Sequence, residues 1–141
     1  VVDYGLASLR VVTTAGVNYL VDCLQNLQEP ENLKYHRIGT GTNAEAIGDT
    51  ALQTELTTQY NPDNTGATGS LTEGASANIF RSVGTNTLDS GTPAITEHML
   101  AAAASGATTC LDRSVFSAVN LNGANGDGLQ TTYDYTLSSG G

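Results

Sequence analysis

The groups in this 141-residue chain with the chemistry to catalyse or to ligate are few: His36 and His98, Cys23 and Cys110, and 14 acidic side chains. His98 sits in "ITEHML", alternating with Thr96 and Leu100, and reads as a structural or surface histidine. As the general base of a hydrolase it would need an activated nucleophile. The chain has no Gly-x-Ser-x-Gly elbow, and the acids of "LTEGAS" and "LDRS" are only linear neighbours of their serines. The two histidines and two cysteines are too dispersed for zinc spacing. Asp63 in "NPDNTGATGSLTE" begins a loose likeness to a calcium loop, but Thr65 and Ala67 stand where further oxygen ligands belong. Asp127 in "NGANGDG" reads as part of a hairpin turn. The segment "RIGTGTNAEAIGDTAL", Arg37 to Leu52, is glycine-rich like a phosphate cradle, yet it has no lysine and no third glycine at dinucleotide-fold spacing. Gly39 and Gly41 therefore read as turn residues. These readings give no catalytic residue, no metal site and no cofactor.

Composition narrows the classes further. Charged residues are 13% of the chain, and the formal net charge is −9 with five Lys plus Arg. Phosphate backbones are bound by clustered cations, so nucleic acid is not expected as a partner. An anionic membrane surface is not expected either, and no apolar run approaches the ~18 residues of a membrane span. An acidic surface covered by Thr, Ser, Asn and Gly suits a β-rich protein whose partner offers a basic patch. Cys23 and Cys110 lie far apart in apolar surroundings and are expected to be free thiols rather than a bridge.

The elements that would position these groups follow from periodicity. Val17, Leu20, Val21, Leu24 and Leu27 recur at helical spacing, which predicts a helix from about Ala15 to Leu27, capped by Thr13 or Thr14 and stopped by Pro30. Such a one-sided stripe is expected to face a partner surface. "LKYHRIG" predicts a short strand. "GDTALQTEL" predicts a helical turn capped by Asp49, with Leu52 and Leu56 pointing inward, and Asn61–Ser70 predicts a loop. Beyond it, "ANIFRSVGTNTL", "AITEHMLAAAA", "TTCLDRSVFSAVNL" and "GLQTTYDYTLS" are strand-length runs separated by Gly/Asn turns. Ala101–Ala104 are unusual for a strand and suggest a short helix or a tightly packed edge. In the last run Leu129, Thr131, Tyr133, Tyr135 and Leu137 share one face. No helix separates these strands. The fold class is thus mainly β: an antiparallel β-sandwich or jelly-roll-like barrel with one N-terminal α-helix. It is organised as one domain, with an N-terminal arm and helix over 1–33 and a β-rich body over 34–141.

"IGTGTNAEAIGDTAL" resembles a segment of virion structural proteins of tailed bacteriophages. "AITEHMLAAAASGATTCLDRSVFSAVNLNGANGDGLQTTYDYTLSSGG" is similar to the same family's pattern of a Thr-Glu strand, a Leu-Asp-Arg-Ser-Val-Phe strand and a final strand after a Gly-Asp turn. The resemblance covers Ile38 to Leu56 and Ala94 to Gly141, about half the chain. His98 and Met99 after the Thr-Glu depart from it, and the N-terminal helix lies outside it. The resemblance implies a non-enzymatic particle component, favouring a capsid decoration or cement protein. Such a protein would be trimeric and bound to the major capsid protein on the outer surface of the head. A tail, baseplate or fibre component and a carbohydrate-binding adsorption module are the alternatives, the latter without tryptophan to stack on sugars. On this reading the apolar arm, with Val1, Val2, Leu6, Leu9, Val11 and Val12 as interface candidates, would attach to a neighbour by adding a strand or filling a groove. The competing expectation is that the arm completes the protein's own sheet.

Overall fold

A computed structural model describes residues 1–140. Its elements are β1 (Val11–Val12), α1 (Thr14–Leu24), β2 (Tyr35–Gly39), β3 (Ala67–Thr68), β4 (Thr72–Glu73), β5 (Ile79–Thr87), β6 (Ala94–Ala101), β7 (Cys110–Asn120) and β8 (Gly128–Thr136). They form two antiparallel sheets, one ordered β1-β7-β6-β2-β3 and the other β4-β5-β8. The mainly β, sandwich-like class with a single helix is what the turn-punctuated strand runs predict. In β8 the residues facing the other sheet alternate as expected, with Tyr133 buried and Gln130, Thr132 and Asp134 exposed, but Leu137, expected on the same face as Tyr133, lies past the end of the strand and is exposed.

Two apolar clusters fill the space between the sheets. One gathers Ile38, Tyr60, Leu88, Ile95, Val119 and Leu121, the other Tyr19, Leu33, Leu100, Leu111 and Tyr133. A third, Leu52, Met99, Ala101 and Cys110, lies on the other side of β6. Strand β6 is therefore buried from Ile95 to Ala101 without interruption, which is why it carries no clean polar alternation. Ala101 closes the strand and the next three alanines form a bend, not a helix.

The helix departs from expectation in two ways. It ends at Leu24 instead of Leu27, because Asn26 adopts a left-handed φ of 58°. The Leu27 N–H then returns to the Asp22 carbonyl (2.9 Å) and the Asn26 N–H to Cys23 (3.1 Å), a paired C-terminal stop. Most of the predicted stripe also fails to dock: of its five members only Leu20 packs against the core. Thr13 caps the helix by accepting from Gly16 N–H, and its hydroxyl donates to the Cys110 carbonyl at 2.5 Å. That docks the small face on β7, where a Cβ at Gly16 would lie 2.3 Å from the Leu111 carbonyl oxygen. Gly16 and Tyr19 are buried, and Val17, Val21, Leu24 and Leu27 face solvent, Leu24 with 89% of its surface exposed.

Two smaller corrections concern loops. Asp49 caps no helix; its carboxylate accepts from Ala46 N–H two residues before a simple turn ends. Leu52 is nonetheless buried and Leu56 packs against the core. The segment Asn61–Ser70 is not all loop, since Ala67–Thr68 pairs with β2.

Candidate functional site

The glycine-rich segment becomes intelligible once β6 and β7 are in place. It crosses the outer face of the larger sheet and is held by Glu97, whose carboxylate is wholly buried. Glu97 accepts from the backbone N–H of Gly41 (3.0 Å), Gln53 (2.9 Å) and Thr54 (2.7 Å), and from Arg113 Nε (2.9 Å). Arg113 in turn donates to Asp49 (3.1 Å) and to the carbonyls of Ala44 and Asn43. The Thr96 hydroxyl donates to the Gly41 carbonyl at 2.7 Å. Gly39 and Gly41 are glycines because a Cβ at either would fall 2.5–2.6 Å from the Glu97 carboxylate. The backbone N–H groups of Gly41, Gln53 and Thr54 are thus taken up by the protein's own acid. Beside it, Arg37 forms a two-pronged ion pair with Glu55 and donates to the Gly106 carbonyl. Burial, with Glu55 adding to it, pushes the neighbouring Tyr60 hydroxyl's pKa up.

The histidines lie on the inner face and meet. His36 Nδ1 is 3.0 Å from His98 Nε2 and 2.8 Å from the Thr131 hydroxyl, and His36 Nε2 is 2.9 Å from Ser82 Oγ. The imidazoles belong to one sheet and the hydroxyls to the other, so the group bolts the sandwich together. Ser82, His36 and His98 follow the order nucleophile, base, orienter, yet Ser82 is fully buried and a Cβ at Gly69 would stand 2.3 Å from its Oγ. Gly84 also abuts the His36 ring, its virtual Cβ 2.5 Å from Cδ2. Desolvation, with a smaller contribution from Arg10, lowers the His36 pKa to about 4, and burial drives His98 well below its ordinary value. Both rings are neutral at pH 7.

The other expected groups are spent locally. Asp63 accepts from the Thr65 hydroxyl and Asp127 from Asn122 N–H, each closing its own turn. Cys23 and Cys110 are free thiols, and burial pushes Cys110 up to about 12. Among the described residues no three His, Cys, Asp or Glu side chains are grouped to hold a metal ion.

The arm divides in two. Val11 and Val12 pair with Arg113 and Asp112 of β7, so this part completes the protein's own sheet. Val1, Val2, Leu6 and Leu9 remain exposed, Leu6 by 80% and Leu9 by 84%, and Tyr4 is exposed with them. Residues 1–8 line one wall of a cleft of about 900 Å³ whose other wall includes Phe116, Val119, Leu129 and Thr131. The helix stripe adds a second uncovered apolar surface. Sequence reading missed Arg10, which anchors the arm: its guanidinium lies 4.4 Å over the Tyr133 ring, 3.3 Å from Asp112 and 3.5 Å from the Thr132 carbonyl. No sequence signal linked residue 10 to residues 112 and 133, because their contact is made only by the closed sandwich.

Comparison with family models, with curated proteins and with solved structures finds no match to this chain.

Proposed function

We propose that this chain is a non-enzymatic structural component of a tailed-phage virion, a decoration protein that binds the outer surface of the head and stabilises contacts between major capsid subunits. The observation that carries the reading is the arm: residues 1–9 present Val1, Val2, Tyr4, Leu6 and Leu9 to solvent. A stretch of that composition gains by transfer into a groove, at ~25 cal/mol per Å² of apolar surface removed from water. The resemblance at Ile38–Leu56 and Ala94–Gly141 supplies the particle context. Its separate segments form one spatial unit, since Gly39, Gly41 and Asp49 from the first are clasped by Glu97 and Arg113 from the second. A sandwich clamped in this way is a rigid platform for an attachment device. Its net charge of −9 favours a basic patch on the shell and disfavours the DNA-facing interior. Binding only to the assembled shell stabilises it by mass action. A sugar-stacking platform is less well supported, because Tyr19, Tyr60 and Tyr133 are core residues.

The test is a count. Quantitative mass spectrometry of purified virions is expected to give copies in a fixed ratio near that of the capsid subunits, as trimers on the shell. A few copies per particle would sink the reading and favour a tail, baseplate or fibre position.

A further inference from the structure

Asp112 and Arg10 form the least well satisfied buried contact among the described residues. Arg10 Nε and Asp112 Oδ2 are 3.3 Å apart, close enough to pair, but they are misaligned, and neither atom has a hydrogen bond. Asp112 is wholly buried, with its other oxygen accepting weakly from Leu100 N–H at 3.3 Å. A buried pair without good hydrogen bonds recovers little of its desolvation cost. Such a defect calls for an explanation. Its position supplies one, because Arg10 is where the arm leaves the sheet. The β1–β7 ladder stops at Val11, and Arg10 carries the chain toward β8 through Tyr133 and Thr132. Between Gly5 and Arg10 the arm has no other hydrogen bond to the body among those the structure shows.

We infer that Arg10 is a latch: it holds the N-terminal arm across the mouth of the cleft while Asp112 is ionised, and protonation of Asp112 on mild acidification frees Tyr4–Arg10. The groups in electrostatic reach act in the same direction. Burial, opposed by Arg10, raises the Asp112 carboxyl to about 7. His98 from β6 and His36 from β2 feel the Arg10 charge, and any proton they accept repels it. From β8, burial raises the Tyr133 hydroxyl, and from β7 it raises the Cys110 thiol, so both are neutral. Asp134 at the outer surface stays ionised, held low chiefly by Arg81, and offers the released guanidinium an outward attraction. With the Asp112 carboxyl near 7, the ionised fraction falls about thirtyfold from well above that point to pH 5.5.

The use of a freed arm for attachment rests on the reading above; the latch itself does not. The experiment is ¹⁵N relaxation on the isolated full chain at pH 8 and pH 5.5. Heteronuclear NOE values for Tyr4–Arg10 are expected to match those of Val11–Val12 at pH 8 and to drop to free-tail values at pH 5.5. Asp112→Asn should give the low values at both pH, with Val11–Val12 unchanged as the fold control. Arg10→Gln, which leaves Asp112 in place, should do the same and serves if Asp112→Asn does not fold. Equal values for the wild type at both pH, or a pH-dependent arm retained in either variant, would overturn the latch. Co-sedimentation with heads is scored separately: an arm that opens without binding heads leaves the latch standing and removes the decoration reading.

Discussion

Replacing Glu97 with Gln tests whether the glycine-rich segment is held by a buried acid. The variant keeps the shape of the side chain and turns one acceptor oxygen into a donor that faces two donors, either Gly41 and Thr54 N–H or Gln53 N–H and Arg113 Nε. Removing one member of a buried, hydrogen-bonded pair costs ~3–5 kcal/mol. The entropy of unfolding, ~2.1 cal/mol/K per residue, sums to about 0.3 kcal/mol/K for 141 residues. A loss of about 4 kcal/mol therefore lowers Tm by about 13 °C. Differential scanning calorimetry measures it, with far-UV circular dichroism to show that the strands persist. Asp134→Asn is the control. It breaks the half-exposed pair with Arg81 at 2.7 Å and should move the midpoint far less, since solvent screens it. A fall below about 4 °C for Glu97→Gln, with the fold intact, would refute the clasp, because that is ~1 kcal/mol on the same scale.

Two further outcomes follow from the inner face. Gly84→Ala places a methyl against the His36 ring, which Gly69 also abuts and whose nitrogens are tied to His98, Thr131 and Ser82; a cost of ~1–3 kcal/mol in urea unfolding and a shifted His36 Nδ1 resonance are expected, and an unchanged midpoint would contradict the packing. Both histidines are depressed when folded, so their contribution is complete above the unfolded value near 6.5 and is lost as pH falls toward about 4. Asp112, raised to about 7, works the other way and gains stability as pH falls from 7 toward its unfolded value. With two imidazoles against one carboxyl the urea midpoint should decline between pH 6.5 and 4, and more steeply in Asp112→Asn, where the opposing group is absent; a midpoint that holds or rises in the variant would refute the sign.

Much of the architecture was legible because local pattern and burial agree where a strand has one wet face. In β8 the alternation of Leu129, Thr131, Tyr133 and Tyr135 against polar neighbours gave the strand and its inner face. The cap was legible as Thr13 or Thr14, and the structure uses Thr13, whose hydroxyl accepts from Gly16 N–H. The helix stripe misled. Spacing finds an apolar face but not which face docks, and here Gly16 wins because only a residue without a Cβ approaches the Leu111 carbonyl so closely. Helix length was misjudged because Asn26 stops it through a backbone conformation that periodicity does not register. The glycine-rich segment was legible as a turn, but its tie to Glu97 and Arg113 spans 56 and 72 positions from Gly41 and could appear only with the β6–β7 pairing. Val11 and Val12 were grouped with the attachment residues because they are apolar and terminal; the ladder to β7 assigns them to the protein's own sheet, leaving Val1, Val2, Leu6 and Leu9 exposed.

The central claim is that an exposed apolar arm fastens a rigid, acidic sandwich to the outside of a phage head. Its most direct measurement is co-sedimentation of the full chain and of a chain lacking residues 1–9 with heads stripped of this protein. Saturation by the full chain at a fixed ratio to capsid subunits, with binding abolished by the truncation while its Tm is retained, is the result the account predicts. Equal binding by both chains, or no saturable binding by the full chain, would contradict it.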